Sequence, residues 1–225
     1  MADKSLSGGN PERGWGQMFP GFLTPDIHVD NRALNGRSTR SFRNEGHWEL
    51  VRKKLRKGDY VFIQFGHNDQ KADTARHSDA ETDYKINLGK YIDETRKVGA
   101  IPVLFTPIVR RKFNPNGTLA DTHGKYTDAV RTVAKEKQVL LIDLNKMSAG
   151  LLEKYGPEKS TSLFVWVEPG IYAALPKGKQ DNTHLNVRGA RLIARMVAEA
   201  IKETIPALAP HIVMYDYVVA KDGSG

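Results

Sequence analysis

YVFIQFGHND, from Tyr60 to Asp69, decides the fold. Tyr60 to Phe65 is almost continuously apolar and rich in β-branched and aromatic side chains. A strand reads this way when both its faces are buried, as in a parallel sheet. The run stops on Gly66, and the polar side chains of His67, Asn68 and Asp69 follow at once. Working outward, Lys57-Gly58-Asp59 closes an amphipathic helix expected over Thr39 to Leu55, with Phe42, Trp48, Val51 and Leu55 on its apolar face. Downstream, Thr82 to Val98 reads as a helix with Tyr84, Leu88, Tyr91, Ile92 and Thr95 at helical spacing, and Gly99 as its stop. IPVLF, Ile101 to Phe105, is a second buried strand; Thr122 to Lys137 is a helix; VLLIDL, Val139 to Leu144, is a strand. Val187 to Ile201 is a last long helix, and IHVDNRA, Ile27 to Ala33, reads as a strand ahead of all of these. Two long loops are expected, Gln70 to Glu81 and Phe164 to Thr183.

Strand and helix alternating in this way imply right-handed crossovers and an α/β fold, a three-layer α/β/α sandwich around a doubly wound parallel sheet. Ligands of such sheets sit beyond the carboxyl ends of the strands. The residues just after each strand are therefore where chemistry is sought: Asn35-Gly36-Arg37-Ser38, Gly66-His67-Asn68-Asp69, Thr106-Pro107 with Arg110 and Arg111, and Asp181-Asn182-Thr183-His184 before the last helix. Gly36 permits close approach of its N–H to a ligand oxygen, and Asn68 offers an amide donor; two such donors make an oxyanion hole. Asp181 and His184 are spaced so that the carboxylate reaches one ring nitrogen and the other faces the site, as a general base needs. Taken singly, each string also reads as a turn, a helix cap or an exposed polar loop. Their joint placement after successive strands is what points to one site.

The chain has 225 residues, 40% of them apolar, enough for one α/β domain with a sizeable core. Lys and Arg number 34 against 26 acidic residues, a formal +8 that attracts polyanions: nucleic acid, acidic polysaccharide or anionic lipid. Cysteine is absent, which excludes disulfides and thiolate metal sites. No apolar run is long enough to span a bilayer and no signal peptide is visible, so no membrane partner is expected. Nucleic acid ranks last among the polyanions, since basic and aromatic residues do not interleave and no nucleic-acid motif is present.

The strings NGRS at Asn35, GHND at Gly66 and DNTH at Asp181 resemble the conserved blocks of SGNH (GDSL-type) hydrolases, a family with a flavodoxin-like fold. The longer strings GWGQ at Gly14, NGRSTRSF at Asn35, IQFGHNDQ at Ile63, TPIVRRKF at Thr106, HGKYTDAVR at His123 and DNTHLNVRGA at Asp181 narrow the resemblance to rhamnogalacturonan acetylesterases, over residues 1–207. That resemblance implies removal of acetyl groups from a pectic polysaccharide, catalysis by His184 and Asp181, an oxyanion hole of Gly36 and Asn68, and no metal or organic cofactor. With a galacturonate-rich substrate, Arg37, Arg40, His67, Arg110 and Arg111 are the expected substrate-binding residues. A secreted or periplasmic location is expected, with any signal peptide outside this chain.

The family opens with a strand ending in a GDS string whose serine is the nucleophile, and in similar sequences that string runs on as STMADK. This chain starts Met1-Ala2-Asp3-Lys4. The expectation is that the serine and the first strand precede Met1 and that the chain as given is inactive. Ser5, Ser7 and Ser38 do not sit in a strand-to-helix turn that presents a nucleophile. At the other end, VAKDGSG, Val219 to Gly225, resembles the opening of pectin methylesterases, so residues 208–225 are expected to be a linker or the start of a covalently linked pectinesterase domain. The competing expectation is a polysaccharide-binding or spacer module without turnover. Ile212 to Ala220, rich in β-branched and aromatic residues, is a candidate to fill the place of a missing strand.

Overall fold

The computed structural model describes residues 1–214. In chain order its elements are α1 (Trp15–Met18), α2 (Thr39–Asn44), α3 (His47–Arg52), β1 (Tyr60–Gln64), α4 (Asp83–Lys97), β2 (Ile101–Phe105), α5 (Lys125–Glu136), β3 (Leu140–Ile142), α6 (Leu144–Lys159), β4 (Phe164–Val167), β5 (Lys179–Leu185) and α7 (Val187–Thr204), with short 3-10 turns between some of them. The strands β1, β2 and β3 form a parallel sheet in that order, with Tyr60 opposite Ile101 and Val103 opposite Leu140. Strands β4 and β5 pair antiparallel as a separate ribbon.

Side chains alternate across the parallel sheet because successive residues of a strand point to opposite faces. Val61, Ile63 and Leu104 pack with Tyr84, Leu88 and Ile92 of α4 and Val130 and Val133 of α5. Val103, Phe105 and Ile142 pack on the other face with Trp15, Phe19 and the apolar stripe of α7, Ala190, Ile193, Ala194, Val197 and Ile201. That stripe recurs every three or four residues, so one face of α7 is wholly buried. Fully burying one such isoleucine contributes about 1.5–3 kcal/mol. The result is helices on both sides of a parallel sheet, as expected.

Several local expectations need correcting. Thr39 to Leu55 is two helices, α2 and α3, because Gly46 between them adopts φ 78° and turns the chain. Val139 to Leu144 contains a shorter strand, since Asp143 accepts from Lys146 N–H and caps α6, a helix the sequence pattern did not reveal. The residues Lys179–Leu185 are strand β5 rather than loop as far as Thr183. Ile27 to Ala33 forms no strand ladder among the described residues. It accepts at Ala33 C=O from Asp3 N–H at 2.8 Å and otherwise runs along one wall of a cavity.

That cavity has a volume of about 1550 Å³ and lies between Ile27 to Ala33 and the edge of β1 that β2 leaves open. It exceeds the roughly 300–1,000 Å³ of an ordinary small-molecule pocket. The expectation that Ile212 to Ala220 fills this place lies largely outside the described residues. Ile212 itself bridges antiparallel to Leu23, and Val213 N–H donates to Phe22 C=O at 2.9 Å.

Candidate active site

Two loops meet at the carboxyl end of β1. In the first, Gly36 takes φ 76°, a left-handed conformation that favours glycine, and a Cβ there would meet no atom within 4 Å, so its backbone is open to an approaching ligand. In the second, Gly66 to Asp69 turns back over the end of the strand. Asp69 joins the two: its wholly buried carboxylate accepts from Thr39 N–H at 2.9 Å, from the Thr39 hydroxyl, and from Gly66 N–H at 3.1 Å. Burial pushes the Asp69 carboxyl up to about 6 against the opposing pull of the Thr39 and Gly66 hydrogen bonds. With the loops so held, Asn68 Nδ2 donates to Arg37 C=O at 3.1 Å and keeps a second N–H available.

His184 comes from β5, just before α7. Asn186 caps that helix by accepting from Gly189 N–H at 3.0 Å, and Gly189 packs so closely on Leu163 C=O that any side chain there would collide with it. This anchors the end of β5 on the core. His184 Nδ1 lies 2.7 Å from Asp181 Oδ2, and the other Asp181 oxygen accepts from Thr183 N–H at 2.7 Å and His184 N–H at 2.9 Å. Burial alone would push the Asp181 carboxyl up, but the hydrogen bonds from His184, Lys179 and the two backbone groups hold it far below the usual carboxylate range. It is therefore an ionised partner for the imidazole, the state that orients a general base.

Residues the sequence reading did not single out complete the arrangement. Lys179 Nζ bridges Asp181 at 2.9 Å and Glu12 at 2.8 Å; Lys4 Nζ bridges Glu12 at 3.0 Å and Asn35 Oδ1 at 2.8 Å. A continuous polar chain thus runs from the His184 pair to the residue beside Gly36. Ion pairs between segments so distant carry no local sequence signal. Glu12, Asp181 and His184 place one ligand-type atom each within 4.8 Å of one another, but the Lys179 ammonium already supplies the positive charge between the two carboxylates.

Gly36, Asn68, Asp181 and His184 all line the cavity beside β1, together with His67, Arg37 and Arg110. Arg40 and Arg111 do not: Arg40 pairs with Asp83 at 2.7 Å, and Arg111 bonds to Asn182, Ser160 and Pro157 C=O and lies over the Trp166 ring. Arg37 pairs with Glu45 at 2.8 Å. Arg110 donates to the carbonyls of His67 and Thr122 and has no carboxylate partner among the described residues. His67 is half-buried rather than exposed. Among the described residues no serine lines the cavity. Ser5 and Ser7 are exposed and bond to each other at 2.7 Å, and Ser38 is buried as the cap of α2. Met1 and Ala2 lie at the cavity wall, and burial lowers the Met1 amino group to about 5 with help from the Lys4 charge.

Residues 2–192 match the model of the GDSL-like lipase/acylhydrolase family. The chain is 41% identical over 203 residues to the rhamnogalacturonan acetylesterase RhgT of Bacillus subtilis, an alignment spanning 90% of this chain and 86% of that protein. It is 35% identical to the probable rhamnogalacturonan acetylesterase YesY of the same organism, over 84% of this chain and 83% of that one. Among solved structures, YxiM of Bacillus subtilis superposes with a TM-score of 0.73 at 29% identity, covering 86% of this chain and 51% of that one. The acetylxylan esterase Axe2 of Geobacillus stearothermophilus shares the fold, with a TM-score of 0.62 at 20% identity over 84% of this chain and 81% of that one.

Proposed function

The chain belongs to the GDSL-like lipase/acylhydrolase family, and on that premise we propose that it is the body of a carbohydrate acetylesterase that removes acetyl groups from rhamnogalacturonan. The observation that carries this reading is the 2.7 Å Asp181–His184 pair facing the same cavity as Gly36 and Asn68. In the proposed reaction a serine hydroxyl attacks the acetyl carbonyl while His184 Nε2 takes its proton. Asp181 holds the ring at Nδ1 and stabilises the imidazolium that forms. The Gly36 N–H and the Asn68 amide receive the oxyanion of the tetrahedral intermediate. His184 then returns the proton to the departing sugar oxygen, and water repeats the sequence on the acetyl-serine.

The serine is proposed to arrive on a strand that enters the cavity beside β1, ahead of Met1. Arg110, a cation at the cavity without a carboxylate partner, is the proposed contact for a galacturonate carboxylate, with Arg37 beside it. The test is turnover of nitrophenyl acetate and of acetylated rhamnogalacturonan. The chain as given is expected to show near-background rates. A version extended at its N-terminus by a strand ending in Gly-Asp-Ser-Thr is expected to gain activity, and His184→Ala is expected to remove it again. That no serine among the described residues lines the cavity favours a second reading, a polysaccharide-binding module. Binding of the polysaccharide with no turnover by the extended version would select it.

A further inference from the structure

Behind His67 runs a short line of hydrogen bonds that the esterase chemistry above does not use. Arg110 N–H donates to Thr122 Oγ1 at 3.3 Å, which leaves the Thr122 hydroxyl hydrogen for His123 Nδ1 at 3.1 Å. His123 Nε2 stands 3.1 Å from His67 Nδ1, with the two rings edge to face and their centroids 4.4 Å apart. Two placements of protons close this line, but only one of them gives the Thr122 hydroxyl hydrogen an acceptor among the described residues. Thr122 donates to His123 Nδ1, His123 donates through Nε2–H to His67 Nδ1, and the remaining His67 hydrogen sits on Nε2. His67 lines the cavity, and among the described residues nothing bonds to its Nε2, which is not sealed from solvent.

The surroundings keep both rings uncharged. Burial holds His67 well below the usual histidine range, and the nearby Arg110 charge acts in the same direction. His123 is lowered to about 4 by burial and by Arg110, with Asp121 opposing. A neutral imidazole whose Nδ1 is occupied from behind can offer the cavity a donor but not an acceptor.

We propose that His67 presents an Nε2–H donor to an oxygen of the bound acetylated sugar, and that His123 is a positioning residue that fixes this tautomer through Nδ1. The identity of the ligand rests on the esterase reading; the tautomer does not. The full chain, labelled with nitrogen-15 histidine, tests both without needing turnover. Long-range proton–nitrogen correlation at about pH 7 to 8 should find His67 protonated at Nε2 and bare at Nδ1. Saturation with an acetylated rhamnogalacturonan oligosaccharide should shift the His67 Nε2–H resonance.

Two variants set the direction. His123→Gln keeps a donor behind His67 and should bind the oligosaccharide like the parent chain. His123→Glu places an acceptor there, should move the hydrogen to Nδ1, and should weaken binding about tenfold, the scale of one hydrogen bond. If a buried glutamate prevents folding, Thr122→Val should instead leave His67 a mixture of tautomers, with melting curves checking that the fold is kept. Finding His67 protonated at Nδ1 in the parent chain would overturn the proposal. So would an Nε2–H resonance unmoved by saturating oligosaccharide, or undiminished binding by a folded His123→Glu chain in which the hydrogen has moved. The esterase reading fails separately, if the strand-extended version gives no turnover of nitrophenyl acetate while the His67 tautomer stands.

Discussion

The two edges of β1 meet opposite fates. On one, Tyr60 to Gln64 pair residue by residue with Ile101 to Phe105, and helices cover both faces. On the other, the same residues face a cavity of about 1550 Å³ whose far wall is the unpaired stretch Ile27 to Ala33. The closed side holds the fold; the open side collects the candidate site residues. Gly36 reaches the cavity from beyond the far wall, Asn68 from the end of β1, and His184 from β5 under the anchor of α7. A site assembled from three separate segments around an opening needs rigid supports behind each. Asp69, the Lys4–Glu12–Lys179 chain and the Gly189–Leu163 contact supply them.

The contrast is sharpest in its response to truncated side chains. Leu104→Ala on the closed side removes a wholly buried side chain and should cost about 2–5 kcal/mol. Val29→Ala, at the cavity wall, leaves no sealed void and should cost less than about 1 kcal/mol. Denaturant unfolding of the two variants checks the difference, and equal losses would break the comparison. Next in size, Asp69→Ala leaves the buried Thr39 and Gly66 donors unmatched and should cost on the order of 1–3 kcal/mol for each group so stranded.

The two carboxylates should also answer pH in opposite senses. The Asp69 carboxyl is raised to about 6, so the folded protein binds its proton more tightly than the unfolded chain does. Its favourable contribution is complete below the unfolded value near 3.9 and is lost as pH rises through about 6, a change of roughly 2–3 kcal/mol. The difference in stability between the parent chain and Asp69→Asn isolates this from the lowered histidines and amino terminus, and should vary with pH between about 4 and 6. Asp181 is depressed, so its contribution is present above about pH 4 and is lost as pH falls further. Last, Lys179→Met removes two ion pairs of a partly exposed ammonium, to Asp181 and Glu12, and should cost no more than about 1 kcal/mol for each, while making Asp181 easier to protonate.

How much of this was legible in the sequence follows the same division. On the closed side, β1 and β2 were readable because their runs are apolar enough to have no other use, and α4 and α7 because their stripes repeat at helical spacing. On the open side, pattern misleads. Ile27 to Ala33 has a strand's composition without a partner to pair with, and Lys179–Leu185 has a loop's composition but is held as a strand by β4. Helix α6 was missed because Gly156 breaks its regular backbone and Pro157 follows. Gly36 and Asn68 were legible because each follows a strand-like run, Asp181 and His184 because they stand just before the last helix, and all four lie in family strings. Lys4, Glu12 and Lys179 were not, since their meaning lies in pairings across the fold. His123 sat inside a quoted string, but its bond to His67 appears only in three dimensions.

On the proposed reading, the open side of β1 is an esterase site completed by a serine strand. The most direct test is acetate release from acetylated rhamnogalacturonan by the strand-extended version, with its His184→Ala variant alongside. Turnover is expected of the extended version, with near-background rates for the chain without the extension and a fall in kcat of about 10⁴-fold or more in His184→Ala. Equal rates with and without the added strand, or turnover that survives the loss of His184, would contradict that reading.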